Sequence, residues 1–158
     1  MSSMTDYLEN KIVDWLFRGQ AFSPPATMYV GLFTAAPTDA GGGTEVQATI
    51  GGNASNYARV PVTSGLTEWA GTQAAASTIA SSGTSGTTSN NAAITFPTPA
   101  ITAGTGWGNI IAFGIFDSGA LGSGNLLFYA NLTTAKTINP GDAAPSFAIG
   151  ALTVQIDN

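Results

Sequence analysis

Two runs of large apolar residues, 109–117 (NIIAFGIFD) and 125–133 (NLLFYANLT), are separated by the seven residues SGALGSG. The first run is apolar on both faces of a strand, the pattern of a buried element. The connection is too short, and too rich in Gly and Ser, for anything but a turn. The pair therefore predicts an antiparallel hairpin at the centre of the fold. A lone hairpin is not stable in water, so the rest of the chain has to cover it.

The remaining apolar segments are also of strand length. Residues 27–34 (TMYVGLFT) are apolar on both faces, and 57–63 (YARVPVT) alternates Ala58, Val60 and Val62 against Tyr57 and Arg59. Pro61 cannot donate to a ladder, which assigns that strand to an edge or a bulge. A short strand is expected at 92–96, and another at 147–157, with Ala148, Leu152, Val154 and Ile156 pointing one way. Asn139-Pro140-Gly141-Asp142 has Pro and Gly at the two central positions of a type II turn. About six strands with no helix between them predict a mainly β fold, an antiparallel β-sandwich or small barrel.

One helix precedes this domain. Residues 5–18 begin with Ser2, Ser3 or Thr5 as caps, carry Asp6 and Glu9 in the first turns, and end at Arg18-Gly19. At 100° per residue, Met4, Leu8, Ile12, Trp15 and Leu16 form one apolar stripe. Val13 and Phe17 fall on nearly the opposite side. Either a neighbouring chain covers them, with Tyr7 nearby, or Phe22-Ser23-Pro24-Pro25 folds back over them. The expected organisation is a helix in 1–20 and a single β domain in 21–158. Within that domain, 39–56 reads as a long Gly-rich loop. Residues 71–91 form a low-complexity Ala/Ser/Thr/Gly loop, too poor in apolar groups to pack by itself.

Composition narrows the function. Charged residues make up 8% of the 158 residues, against about 25% in ordinary soluble domains. A surface so short of ions is expected to be partly used in contacts, as a dimer or trimer. The net charge is −5 and the only bases are Lys11, Arg18, Arg59 and Lys136. No cluster of them could release counterions from a nucleic acid or an anionic membrane, so neither is an expected partner. The start lacks the basic and apolar regions of a signal peptide, and no apolar run approaches membrane-spanning length. The chain is expected to be made and kept soluble in the cytosol that translates it.

Histidine and cysteine are absent, which removes the commonest general base, thiol nucleophiles and the usual zinc ligands. No Ser-x-x-Lys spacing involves Lys11 or Lys136. The nine carboxylates are Asp6, Glu9, Asp14, Asp39, Glu45, Glu68, Asp117, Asp142 and Asp157. A glycosidase would need two of them facing across a cleft, Asp39 or Glu45 with Glu68 being the available pairing. Calcium would need closely spaced oxygen donors, and Asp39 and Asp117 stand alone. No catalytic residue, cofactor or metal site is expected. Asn53 and Asn131 begin chance acceptor patterns for glycosylation. Trp15, Trp69 and Trp107 suit packing, with Trp69 and Trp107 weighed as platforms for a sugar ring.

Several segments taken together resemble a family. MTDYLENKIVDWLFRGQAF with MYVGLFTAAPTDAGGGTEV, then NYARVPVT and NNAAITFP, then WGNIIAFGIFDSGALGSGNLLFYANLTTAKTINPGD and FAIGALTVQID occur in this order. The pattern resembles small tailed-bacteriophage virion structural proteins, often labelled tail-fibre-like. Residues 71–91 are where the chain departs from it. The resemblance implies a non-enzymatic virion component, either a capsid decoration (cement) protein or a small tail or fibre appendage. Its partners would be copies of itself and other virion proteins. The alternative is a receptor- or glycan-binding module that meets a host-surface glycan.

Overall fold

The structure is a computed structural model describing residues 2–74, 76–84, 86–102 and 104–156. In chain order the elements are β1 (Ser3–Met4), α1 (Asp6–Arg18), β2 (Thr27–Ala35), β3 (Thr44–Glu45), β4 (Thr49–Ile50), β5 (Asn53–Ala54) and β6 (Val60–Thr63). They continue with β7 (Thr87–Ser89), β8 (Ile94–Thr95), β9 (Gly108–Phe116), β10 (Leu126–Ile138), β11 (Ser146–Phe147) and β12 (Thr153–Gln155). The main sheet is antiparallel and runs β1-β10-β9-β2-β3, with β6 also pairing β2. Its centre is the hairpin expected from the sequence, β9 against β10, with β2 on the far side of β9. Strands β6 and β3 divide the other edge of β2 between them. Nothing pairs beyond β6 among the described residues, so Pro61 lies at an edge as its missing N–H requires.

Register decides what each face carries. Val30 lies opposite Ile115 and Leu32 opposite Phe113, while Tyr29 faces Phe116 and Phe33 faces Ala112. The first set builds the principal core with Tyr57, Ile94, Phe96, Trp107, Leu152 and Val154. Much of that cover comes from short strand pairs, β8 with β11 and β7 with β12. The packing is sandwich-like, and the sheet does not close into a barrel. Aromatic rings fill the space between layers, with Tyr57 edge-on to Trp107 at 5.2 Å and Phe113 edge-on to Phe147 at 5.7 Å. The second face carries Phe33 and Phe116, stacked 6.0 Å apart over Gly31 and Gly114. A Cβ on Gly114 would come within 2.8 Å of the Phe33 ring, so the close approach of the rings depends on glycine there.

Three segments differ from the sequence reading. Residues 39–56 hold β3 and a small hairpin, β4 to β5, turned by Gly51 and Gly52 at positive φ. Residues 71–91 are not all loop, because Thr87–Ser89 form β7 on β12, and Asn90, wholly buried, ties the region together. Its amide nitrogen donates to the carbonyls of Ala92 and Ala148, and its Oδ1 accepts from Leu152 N–H. The Gln73 amide donates to the Ala80 carbonyl, and the Thr72 hydroxyl accepts from Gly83 N–H, so the loop closes its own neck. In the last segment Leu152 and Val154 are buried as expected, but Ala148 and Ile156 are exposed. Gly150, at positive φ, turns the chain between β11 and β12 and breaks the period.

Strand β10 is irregular. Between Asn131 and Lys136 it takes five steps while β9 takes two, from Ala112 to Ile110. Three extra residues therefore bulge out of the ladder. Among the described residues its outer edge is covered from Leu126 to Tyr129, by β1 and Thr5. The Asn139–Asp142 turn has Gly141 at φ 74 and an Asp142 N–H to Asn139 carbonyl bond, as a type II turn requires.

Candidate functional site

Helix α1 is attached to the domain at its beginning. Thr5 occupies the N-cap position, but its hydroxyl donates to the Leu126 carbonyl at 2.6 Å instead of capping the helix. Thr5 N–H and Asp6 N–H donate to the carbonyls of Leu127 and Asp39. Leu8 is the only helical residue that is buried. At the far end Gly19, left-handed at φ 67, closes the helix onto the Asp14 carbonyl.

Between these two ends the helix outruns its own domain. Val13 is 46% exposed, Trp15 55%, Leu16 59% and Phe17 77%. Trp15 and Leu16 were expected on the inner stripe, and they are not covered. Phe22 is only half-buried and leaves Val13 and Phe17 in solvent, so the loop does not fold over them. Plotted at 100° per residue, the apolar arc of the last two turns spans roughly 200°, about twice what one docking face needs. Tyr7 lies elsewhere. It is half-buried, lines a groove of about 410 Å³ with Phe33, Phe116 and Asp39, and has the Lys11 ammonium 5.7 Å from its ring.

The two tryptophans weighed as sugar platforms are both buried, at 9% exposed for Trp69 and 2% for Trp107. Trp107 packs on Tyr57 and Phe96, and its Nε1 donates to the Ser55 carbonyl at 2.9 Å. Trp69 lines a groove of about 270 Å³ with Met28, Ile115, Phe128, Val154 and Ile156. Ser64 and Thr88 supply the side-chain hydroxyls at this groove. A sugar needs an open ring face together with several polar groups, and neither tryptophan provides that combination.

The carboxylates are placed as follows. Asp39 lies with Asp6 and Glu9, carboxylate oxygens within 4.8 Å of one another, all three exposed. Glu45 is held by Arg59, whose Nε and Nη2 donate to its two oxygens at 2.8 Å each. Arg59 Nη1 also donates to the carbonyls of Ser118 and Ser123 at 2.7 and 2.9 Å. The Tyr57 hydroxyl accepts from Leu32 N–H and donates to Glu45. Burial, and then the Glu45 charge, holds this phenol well above the usual tyrosine range, so it stays a donor. The Glu45–Arg59 pairing leaves Glu45 occupied in an ion pair rather than facing Glu68. Asp117 accepts from both nitrogens of Asn125 and closes the central hairpin. Asp157 lies outside the described residues. No described helix is long and apolar enough to cross a membrane.

The sequence reading missed the Arg59–Glu45 pair and the exposure of Trp15 and Leu16. One signal for Arg59 was available: it is one of four bases and stands between the apolar residues Ala58 and Val60. Among the described residues the molecule offers its surroundings a bare apolar helix end and an apolar groove.

Among curated proteins, none matches this chain. Residues 3–155, nearly its whole length, match the family described as Podophage GP4 fiber I protein gp80. The chain belongs to that family, and is a phage fibre-type structural protein of the virion.

Proposed function

We propose that this chain is a non-enzymatic subunit of a small tail or fibre appendage, joined to copies of itself and to other virion proteins through the free end of α1. The observation that carries the reading is the exposure of Val13, Trp15, Leu16 and Phe17 on a helix whose other end is fixed to the domain. Exposed apolar patches of this kind mark interaction surfaces. The family's description as a fiber protein favours an appendage over a capsid decoration protein.

Two experiments test it. Antibody labelling of intact particles is expected on the tail or its appendages, and labelling spread over the capsid lattice would overturn the appendage reading. Val13→Glu with Phe17→Glu is expected to leave the circular dichroism spectrum unchanged and to abolish incorporation into particles. Undiminished incorporation would overturn the role of α1.

A further inference from the structure

We infer that the end of α1 seats in the Trp69 groove of a second copy of this chain, a head-to-tail contact. The inference rests on reading the α1 end as an assembly surface and adds what covers it. The groove is lined from β2, β9, β10, β12 and the Ser64–Trp69 turn, and no α1 residue reaches it. Its floor is Ile115, Trp69 and Val154, all buried, and its rim includes Ile156, 59% exposed. Ser64 and Thr88 each already donate a hydroxyl, to the carbonyls of Pro25 and Ala70. Water there gains few hydrogen bonds, and an apolar side chain displaces it favourably.

Size and charge both fit. An apolar cavity of about 150 Å³ accepts a benzene ring. A groove of about 270 Å³ accommodates the Phe17 ring with part of Val13 or Leu16. Arg18 follows Phe17 and shares an exposed i,i+4 ion pair with Asp14 at 3.2 Å, while Glu68 precedes Trp69 with no ion-pair partner among the described residues. A seated helix end brings opposite charges toward one another at the rim of the contact.

Area sets the strength. The four helix side chains offer roughly 400–500 Å² of apolar surface, short of the about 800 Å² each partner gives to a standard stable interface. The contact is weak between free subunits and becomes effective where copies are held close together on a particle. Because plug and groove are different surfaces, a pair of subunits keeps one plug and one groove unused. A one-way contact of this kind propagates as a ring or an open row.

The chain has no cysteine, so introduced thiols report without background. Gln20→Cys, beside the plug, is mixed with Ile156→Cys, on the groove rim, and a short bismaleimide is added at high protein concentration. Mixed cross-linked dimers are expected about tenfold above those formed by either variant alone. Adding Phe17→Glu to the Gln20→Cys chain is expected to remove them. Glu68→Arg is expected to lower the yield, and Arg18→Glu with Glu68→Arg to restore it. Cross-linking of Gln20→Cys with itself as fast as in the mixture would show helix pairing with helix and overturn the inference. So would no cross-linking in any mixture of folded variants. If particle incorporation still depends on Val13 and Phe17 in that case, the assembly role of α1 stands and only the groove is excluded.

Discussion

The Arg59 guanidinium carbon sits 3.4 Å from the centroid of the Phe116 ring, on the face of the sheet where Phe116 also stacks on Phe33. The same guanidinium grips Glu45 with two bonds and holds the Ser118 and Ser123 carbonyls of the hairpin loop. One side chain thus connects β3, the segment before β6 and the β9–β10 turn. The Arg59 side chain is 2% exposed and that of Glu45 12%, so removing either leaves the other charge without its partner. Arg59→Ala is expected to cost about 3–5 kcal/mol in urea unfolding. Arg59→Lys is expected to recover little, because an ammonium cannot make the paired bonds to Glu45 while stacking on Phe116. An Arg59→Ala variant within 1 kcal/mol of the parent would contradict this account.

Tyr57 makes the fold sensitive to alkali. Its folded pKa is raised, by burial first and Glu45 second, while in the unfolded chain it titrates near 10. Above about pH 10 the unfolded state therefore holds fewer protons, and stability falls with rising pH. Below that range Tyr57 gives no slope. Of the four tyrosines, one is expected to ionise only on unfolding when followed by phenolate absorbance. Tyr57→Phe is expected to remove that late step while losing the bonds to Leu32 and Glu45.

The central hairpin sets the stability of the core. Ile115 is 1% exposed and Phe113 5%, and truncating either to Ala is expected to cost about 2–5 kcal/mol. The midpoint of chemical unfolding should fall with little change in slope. A variant that unfolds at the parent midpoint would show these positions are not core.

Gly31 tests the second face. An added Cβ would meet Glu45 Oε1 at 2.6 Å and the Phe116 ring at 3.1 Å. Gly31→Ala is expected to displace the Glu45 carboxylate from Arg59, and so to destabilise by about 1–3 kcal/mol. Made in a Glu45→Ala background, the same substitution should cost clearly less. Equal costs in the two backgrounds would show that the clash lies elsewhere.

The loop in 72–83 is held by its own side chains at the neck. Replacing 73–82 with a short Gly-Ser link is expected to change stability by about 0.5 kcal/mol or less. A large loss would mean that the loop packs on the fold.

How far the sequence showed all this depended on the kind of signal. Residues 109–117 and 125–133 disclosed the central hairpin because a continuous apolar run between turn residues has few other uses. The Pro-Gly turn at 140–141 was equally legible, since φ is constrained there. Thr87–Ser89 were not, because three hydroxyl residues in a low-complexity stretch become a strand only where β12 offers a ladder. Val13 and Phe17, set apart by angle, are exposed. Trp15 and Leu16 were misplaced, because periodicity gives the direction of a side chain and not how far the domain extends beneath it. Arg59 and Glu45 lie fourteen residues apart, and only the sheet topology brings them together.

The bulge in β10 bears on how many copies can share a small space. Sheets that end in a flat, uncovered strand invite the same strand of another molecule, and crowding on a particle makes such encounters frequent. Past Tyr129 the outer border of β10 has no described neighbour. The three inserted residues bend it, and Lys136 places a charge on its exposed stretch. Subunits can then stand shoulder to shoulder without their sheets fusing into a continuous ribbon, so crowded copies remain separate bodies.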